Sequence, residues 1–147
     1  MRVPMRVDYG VRALVELAFH YGEAPVQTSF IAKNQNIPEP YLDQLLTAMN
    51  KMGFIHSKRG PRGGHMLAQN PQDITLERVM DSIDGNSATI DCITEPGVCL
   101  LSSHCAQRDI WRSVGEAIQG VLSSITVADL AERERQGLTP VTNKHDK

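Results

Sequence analysis

Apolar residues recur every three to four positions along most of the chain, which is the period of an amphipathic helix. A first helix is predicted from about Asp8 to Tyr21. A short second helix follows, which Thr28 or Ser29 can cap, and a third helix begins among two prolines and ends before Gly53. The predicted buried stripes of the first and third helices are Val11, Leu14, Val15, Ala18 and Phe19, and Leu42, Leu45, Leu46 and Met49.

The second and third predicted helices are joined by a tight polar turn, an arrangement typical of a helix-turn-helix, although any three-helix domain can share it. The third helix turns Tyr41, Asp43, Gln44 and Thr47 outward. Residues 54–58 and 65–68 then alternate as two short strands around the turn RGPRGG, which predicts a β-hairpin wing with a cationic tip. Arginine on such a tip can enter a narrow minor groove. A solvated charged turn is the alternative, but the position directly after the helix pair favours the wing.

Beyond the wing the pattern returns to helices. Thr75 caps a fourth helix that ends at Gly85, and a long helix runs from after Cys105 to about Ile125. The apolar stripe of the long helix, at Ile110, Val114, Ile118, Leu122 and Ile125, is long enough to require a partner. Thr126 and Asp129 form a capping box for a last helix, which is expected to fold back on the long one. The fold class is therefore mostly α with a small β-hairpin, a winged helix-turn-helix with an added long helix.

Composition fits one folded domain or a small domain with an oligomerisation element. The chain has 147 residues, 41% hydrophobic and 22% charged. No apolar run approaches the roughly 18 residues that cross a bilayer, and the first residues lack a secretory signal, so we expect a cytoplasmic protein without a membrane partner. Charge is uneven: residues 1–65 carry 8 Lys/Arg and 5 Asp/Glu, whereas residues 66–147 carry 7 and 12. The predicted DNA-reading half is thus the basic half.

The chain has three cysteines, Cys92, Cys99 and Cys105, all within fourteen residues. A reducing cytoplasm and an odd number of thiols make a structural disulfide a poor explanation, which leaves metal or redox chemistry. Structural zinc with His104 as fourth ligand suits the spacing. The spacing alone does not separate zinc from an iron-sulfur cluster, and a metal-free thiol switch is a third alternative.

The stretches YGVRALVELA (9–18) and PEPYLDQLLTAMNKMGFIHSKRGPRGGHMLA (38–68), together with the three-cysteine loop, resemble the iron-sulfur winged-helix regulators typified by IscR, NsrR and RirA. The resemblance covers the chain to about residue 135. It implies a winged helix-turn-helix at 1–85, a cluster-binding loop at 86–106 and dimerisation helices at 107–136. It also implies that Cys92, Cys99 and Cys105 bind an iron-sulfur cluster and that a homodimer regulates genes. The polar composition of residues 137–147 predicts a flexible tail outside the resemblance.

Two departures from the family pattern concern the cluster. The spacing is C-x6-C-x5-C rather than five residues in both gaps, and Arg108 stands where IscR-like members have a histidine ligand. NsrR-like members use an aspartate from the first helix of the other subunit, and Asp8 matches that position. By this analogy Asp8 is preferred to His104 as fourth ligand, and a 4Fe-4S cluster to a 2Fe-2S cluster. A carboxylate binds such iron weakly, so that corner would be open to nitric oxide, oxygen or iron loss.

These expectations give a dimeric regulator, not an enzyme, that binds a pseudo-palindromic operator in double-stranded DNA and responds to nitric oxide, iron or redox state, for example as a repressor. Gln44 and Asp43 can read base edges, while the cations mainly contact phosphate or the minor groove. The predicted DNA contacts are Thr28, Ser29, Tyr41, Asp43, Gln44, Lys58, Arg59 and Arg62. The alternatives are a metal-free thiol-redox winged-helix regulator and a cluster-carrying redox protein that does not bind DNA.

Overall fold

The computed structural model describes residues 2–85 and 95–137, and it has the predicted mostly helical fold with one β-hairpin. Two single-turn 3-10 helices, at Pro71–Asp73 and Pro96–Val98, lie between the longer elements. In chain order those are α1 (Met5–Phe19), α2 (Thr28–Gln35), α3 (Glu39–Lys51), β1 (Ile55–Lys58), β2 (Gly64–Leu67), α4 (Leu76–Asp84), α5 (Arg108–Ser124) and α6 (Val127–Arg135).

Helix α1 is the centre of the core, and α2, α3, α4, α6 and β2 all pack against it. Of its predicted stripe, Leu14, Val15 and Ala18 are buried, whereas Val11 and Phe19 are only partly buried. Ala13 and Leu17, which lie outside the predicted stripe, are buried as well, because other elements pack on more than one side of the helix. The largest fully buried side chains outside α1 are Ile31, Leu42, Leu46, Met49, Phe54, Ile55, Ile74, Val79 and Val127. The core thus joins the helix-turn-helix, the wing and the last helix into one unit.

The helix ends differ in part from the prediction. Helix α1 begins at Met5 rather than near Asp8, because extended Pro4 allows the helix to start directly after it. The expected cap of α2 by Thr28 or Ser29 is wrong: Gln27 is the N-cap residue, and no side chain caps the helix. Thr28 is the first residue of α2, and its hydroxyl bonds instead to the wing.

The wing is a two-stranded antiparallel hairpin in which Ile55 pairs with Leu67 and Lys58 with Gly64. Its outer edge is extended by Val26, which exchanges both backbone hydrogen bonds with His65 at 2.8 Å. Gly64 has a φ of +148° and lies so close to Val26 that a Cβ atom would be 2.5 Å from the Val26 carbonyl oxygen. The hairpin is therefore anchored to the segment that leads into α2.

The C-terminal part returns to the core in an unexpected way. The capping box of Thr126 and Asp129 is confirmed, but α6 packs mainly on α1 and on the 3-10 turn, not folded back on the long helix. The reason is that Val127 and Ala131 are fully or nearly fully buried in the α1 core. Backbone bonds from Leu76 N to Ile125 O (3.0 Å) and from Val127 N to Ile74 O (2.8 Å) join this region to the start of α4. None of the described helices is long and apolar enough to span a bilayer.

Candidate functional site

The predicted DNA contacts outside the wing lie at the starts of α2 and α3. Ser29, Asp43 and Gln44 are exposed and available to a ligand. Tyr41 is 38% exposed and packs edge-on against the Tyr9 ring of α1, with the ring centroids 5.5 Å apart. Tyr41 therefore has a packing role as well as an outward edge.

The wing carries the predicted phosphate-binding cations. Lys58, Arg59 and Arg62 are all exposed around the tip, and no ion pair within residues 2–85 and 95–137 engages them. Gly60 gives the tip its left-handed turn, with φ +106° and open space around it. Unpaired cations on a glycine turn are suited to a polyanion, because no internal partner must be displaced.

His65 joins the wing to the helix-turn-helix through both ring nitrogens. Nε2 lies 2.8 Å from Thr28 Oγ1, and Nδ1 lies 2.8 Å from Ser57 Oγ. Burial lowers the pKa of His65, and the nearby carboxylate of Asp43 partly opposes this shift. At neutral pH the ring is therefore uncharged, and it donates to one hydroxyl and accepts from the other.

Asp8, the predicted ligand to a partner's cluster, is half exposed on the first turns of α1. Its carboxylate pairs with Arg12 one turn on, at 3.1 Å and 3.2 Å for its two oxygens. Arg12 also donates to the carbonyl of Gln35 at the end of α2, at 3.3 Å. Exposure allows Asp8 to meet a second chain, provided that its pairing with Arg12 is exchanged.

Glu16 is a buried carboxylate on α1, with only 4% of the residue exposed. It accepts hydrogen bonds from Asn34 Nδ2 at 3.0 Å and Gln35 Nε2 at 2.8 Å, and His20 lies 3.5 Å away. These bonds replace the hydration that burial removes. They hold the polar turn of the helix-turn-helix against α1, a role for Glu16 that periodicity alone did not indicate.

The cysteines lie on the segment before α5, which we call the cysteine segment (residues 95–107). Cys99 is exposed and Cys105 is half-buried, and both are free thiols. Short turns shape the segment, with bonds from Ser102 N to Cys99 O (3.2 Å) and from His104 N to Leu101 O (2.9 Å). Within the described ranges no three His, Cys, Asp or Glu side chains come together as a metal site. The predicted ligand Cys92 lies outside those ranges.

Arg108 provides an independent observation on what the cysteine segment can hold. Its Nη1 donates to the Ser102 carbonyl at 3.4 Å, and its Nε is buried with no hydrogen-bond partner in the part of the chain that the structure describes. A buried N–H donor without an acceptor is costly unless a ligand satisfies it. Thiolates and a cluster that they bind are negatively charged acceptors, so this cation fits such a group. His104, the alternative fourth ligand, has its Nδ1 2.6 Å from Ser103 Oγ.

Helix α5 follows the cysteine segment and buries none of its side chains. Ile110 and Val121 are each 63% exposed, and Trp111 and Val114 are 38% and 37% exposed. The helix contacts the rest of the chain mainly at α4, where Gln119 Nε2 donates to Glu77 Oε1 at 2.6 Å. An apolar helix face of this size in water indicates a binding surface.

The sequence reasoning missed four residues that shape the site: Glu16, Arg12, His65 and Tyr9. A signal existed only for Glu16, which is the one charged residue in the otherwise apolar run ALVELAF (13–19). His65 was assigned simply to a strand, because its two hydroxyl partners come from different elements and no spacing rule links them. Tyr9 and Arg12 act through contacts on neighbouring helices.

Comparison with known proteins identifies the family. Residues 3–133 match the sequence profile of Rrf2, described as "Iron-dependent Transcriptional regulator". The chain is 34% identical over 130 residues to protein rrf2 of Nitratidesulfovibrio vulgaris, covering 88% of this chain and 87% of that one. It is 32% identical over 134 residues to the HTH-type transcriptional regulator IscR of Serratia proteamaculans, covering 91% and 81%.

Solved structures agree with these relatives. The chain superposes on T. potens IscR with a TM-score of 0.76 and 32% identity, covering 95% of this chain and 93% of that one. It superposes on CymR, titled the global cysteine regulator of B. subtilis, with a TM-score of 0.78 and 30% identity, covering 90% and 97%. With its winged helix-turn-helix and its match over nearly the whole length, this chain belongs to the Rrf2 family of DNA-binding transcriptional regulators.

Proposed function

We propose that this chain forms a homodimer that binds a pseudo-palindromic operator and that an iron-sulfur cluster held by Cys92, Cys99 and Cys105 controls its affinity. The observation that carries the proposal is the buried Nε of Arg108, which has no hydrogen-bond partner among the described residues and belongs to the residue directly after the segment that supplies two of the three thiols. It supports an anionic ligand at the cysteines. DNA binding by α3 and the wing does not require a buried, unpaired N–H donor next to the cysteines.

The dimer half of the proposal is supported by the exposed apolar face of α5. Two copies of this face can bury one another, and each of its larger side chains would gain about 1.5–3 kcal/mol if fully buried. Ile110→Glu should therefore yield monomers in light scattering after size exclusion, because a charge would enter the interface. Arg112→Glu introduces the same side chain two residues further on, away from Ile110 around the helix, and should remain dimeric. A monomeric wild type at micromolar concentration would contradict this half.

DNA reading is assigned to α3 and the wing. Gln44 can bond an adenine edge with its amide, and Asp43 can accept from a cytosine amino group. Arg59 and Arg62 supply charge to phosphates or to the minor groove. A symmetric dimer presents two such heads, so the half-sites should lie about one helical turn apart.

A bound iron-sulfur cluster would supply an inorganic centre that can exchange ligands or lose iron. The three thiolates would hold the cluster, the Arg108 cation would place a positive charge beside it, and Asp8 of the partner subunit would supply the fourth ligand. Asp8 is preferred to His104, and a 4Fe-4S to a 2Fe-2S cluster. Ligation can change operator affinity only by its differential energy, with about 1–3 kcal/mol, or roughly 5- to 150-fold, as the usual scale.

The test is anaerobic purification of the full chain, with iron and sulfide measured per protomer. We expect a brown protein that shifts a set of genomic fragments in a gel, and an altered shift after chelation of iron. Cys99→Ser should lower the iron content, whereas Ser103→Ala, a change in the same segment, should not. Asp8→Ala and His104→Ala would identify the fourth ligand. Native protein without iron, or equal DNA binding with and without iron, would refute cluster control.

The second candidate is a metal-free thiol regulator, which the exposed Cys99 and the likeness to CymR make worth testing. CymR of Staphylococcus aureus, 28% identical to this chain, has been solved in an oxidized form. In that case the anaerobic protein would be colourless and free of iron. Its DNA affinity would change on oxidation and return with a thiol reductant. A brown protein that shifts no fragment would instead indicate a redox protein without DNA binding.

A further inference from the structure

His65 lies at the junction of three parts of the DNA-reading head. Its backbone pairs with Val26 through two bonds of 2.8 Å, and its ring bonds Thr28 on α2 and Ser57 on β1, each at 2.8 Å. We propose that His65 is a positioning residue for DNA binding, which holds the wing on the first turn of α2 and directs the hydroxyl hydrogens of Thr28 and Ser57. The proposal rests on DNA binding by this winged helix-turn-helix.

The protonation of the two ring nitrogens of His65 decides which hydroxyl, Thr28 or Ser57, can donate a hydrogen bond to DNA. A neutral imidazole has one N–H donor and one acceptor nitrogen. The hydroxyl that accepts from the ring keeps its own hydrogen for a phosphate oxygen. The hydroxyl that donates to the ring has used its hydrogen. The neutral ring therefore leaves one of the two hydroxyls, Thr28 or Ser57, as a donor toward the duplex.

A protonated ring changes this inventory. Both nitrogens then donate, both hydroxyls accept, and the hydrogens of Thr28 and Ser57 are both free for phosphates. The step is a simple proton uptake from solvent by the acceptor nitrogen. Phosphates that approach these hydroxyls also favour the positive ring directly, so operator binding and protonation of His65 should assist each other.

The surroundings of the ring set the direction of the pH effect. In the free protein, burial lowers the pKa of His65, and Asp43 on α3 opposes the shift. The other neighbours that bond the ring, Thr28 of α2 and Ser57 of β1, are hydroxyls that do not titrate in this range. DNA adds negative charge and should raise the pKa in the complex above that of the free protein. Affinity should therefore increase as pH falls through the complex's pKa and level off below the pKa of the free protein.

The test uses the full chain and a fluorescent duplex of about 30 base pairs, selected from a randomised pool by the wild-type protein. Kd is measured by fluorescence anisotropy over a pH series, at fixed salt. We expect the wild-type log Kd to change with pH with a slope of up to about one, the limit for one linked proton. His65→Phe keeps a ring but removes both bonds, and should weaken binding roughly tenfold and remove that slope.

Two further variants separate positioning from general structure. His65→Gln keeps one donor and one acceptor without titrating, so it should recover part of the affinity but not the pH slope. His56→Phe changes the exposed histidine of the same hairpin and should keep both the wild-type affinity and the wild-type pH slope. A wild-type slope in His65→Phe and His65→Gln would overturn the role of His65. Failure of the wild type to select any duplex would count against DNA binding itself, which is a different result.

Discussion

Gly64→Ala should separate the wing from the strand edge at Val26 and destabilise the whole reading head. The added Cβ would lie 2.5 Å from the Val26 carbonyl oxygen, 2.7 Å from its carbonyl carbon and 3.0 Å from its nitrogen. All three are backbone atoms, so the clash cannot be relieved by rotation of a side chain. The φ of +148° adds strain of about 1–3 kcal/mol for any residue with a side chain.

Relief of the clash requires Val26 and His65 to move apart, which weakens two backbone hydrogen bonds of 2.8 Å. At about 0.5–1.5 kcal/mol each, they add about 1–3 kcal/mol to the strain. The expected loss is therefore about 2–6 kcal/mol, a large part of the 5–15 kcal/mol typical of a domain. Urea unfolding followed by circular dichroism should lower the midpoint by about 1 M or more.

Gly60→Ala is the matched control, because Gly60 also has a positive φ, +106°, but nothing lies within 4 Å of the position its Cβ would occupy. It isolates backbone strain from the clash, and it should lower the free energy of unfolding by about 1–3 kcal/mol. Equal midpoints for Gly64→Ala and Gly60→Ala would refute the claim that the contact with Val26 anchors the wing.

Three further predictions concern the core, the last helix and the wing. Val127→Ala should lower the free energy of unfolding by about 2 kcal/mol because Val127 is fully buried, while Val3→Ala, at an exposed valine outside the α5 face, should leave it unchanged in the same urea assay. The hydrogen bond from the Thr126 backbone lowers the pKa of Asp129, so the stabilisation by this carboxylate is present above its pKa in the unfolded chain and is lost as pH falls through its lower pKa in the folded chain. Asp129→Asn should therefore reduce the acid sensitivity of thermal unfolding below about pH 4. An unchanged pH profile would exclude Asp129 as the cause. Arg62→Ala should weaken operator binding and reduce the slope of log K against log salt by about 1, whereas Arg112→Ala on α5 should keep the wild-type slope.

The helical half of the fold could be predicted because it depends on local periodicity. The stripe at Leu42, Leu45, Leu46 and Met49 requires a helix of one orientation, and all four side chains are buried. The turn RGPRGG likewise predicts a hairpin, since Gly60 and Gly64 adopt positive φ values that other residues avoid. Such signals need no knowledge of distant residues.

Long-range choices were not predictable in the same way. Val127 and Ala131 fit either the long helix or α1, and periodicity does not decide between two apolar faces. The sequence predicts that Thr28 or Ser29 caps α2. In the structure the hairpin brings the ring of His65 next to Thr28, and the Thr28 hydroxyl bonds this ring instead of a backbone N–H of α2. In both cases a contact with a residue far away in the sequence replaces the local contact that the sequence pattern predicts. The cysteine ligands remain predictions, since Cys92 lies outside the described residues.

The two ends of α5 are held very differently, and this difference supports control by the cysteines. At its C-terminal end, Ile125 bonds Leu76, and Val127 bonds Ile74 before α6 enters the core. At its N-terminal end, the helix begins at Arg108, whose Nε has no partner among the described residues, and the cysteine segment before it exposes Cys99. A change in the cysteine segment would therefore act on the end of α5 opposite to the one that is bonded to residues 74–76. We infer that such a change would tilt α5 about its fixed end, and a tilt of a dimer interface alters the spacing of both recognition helices together.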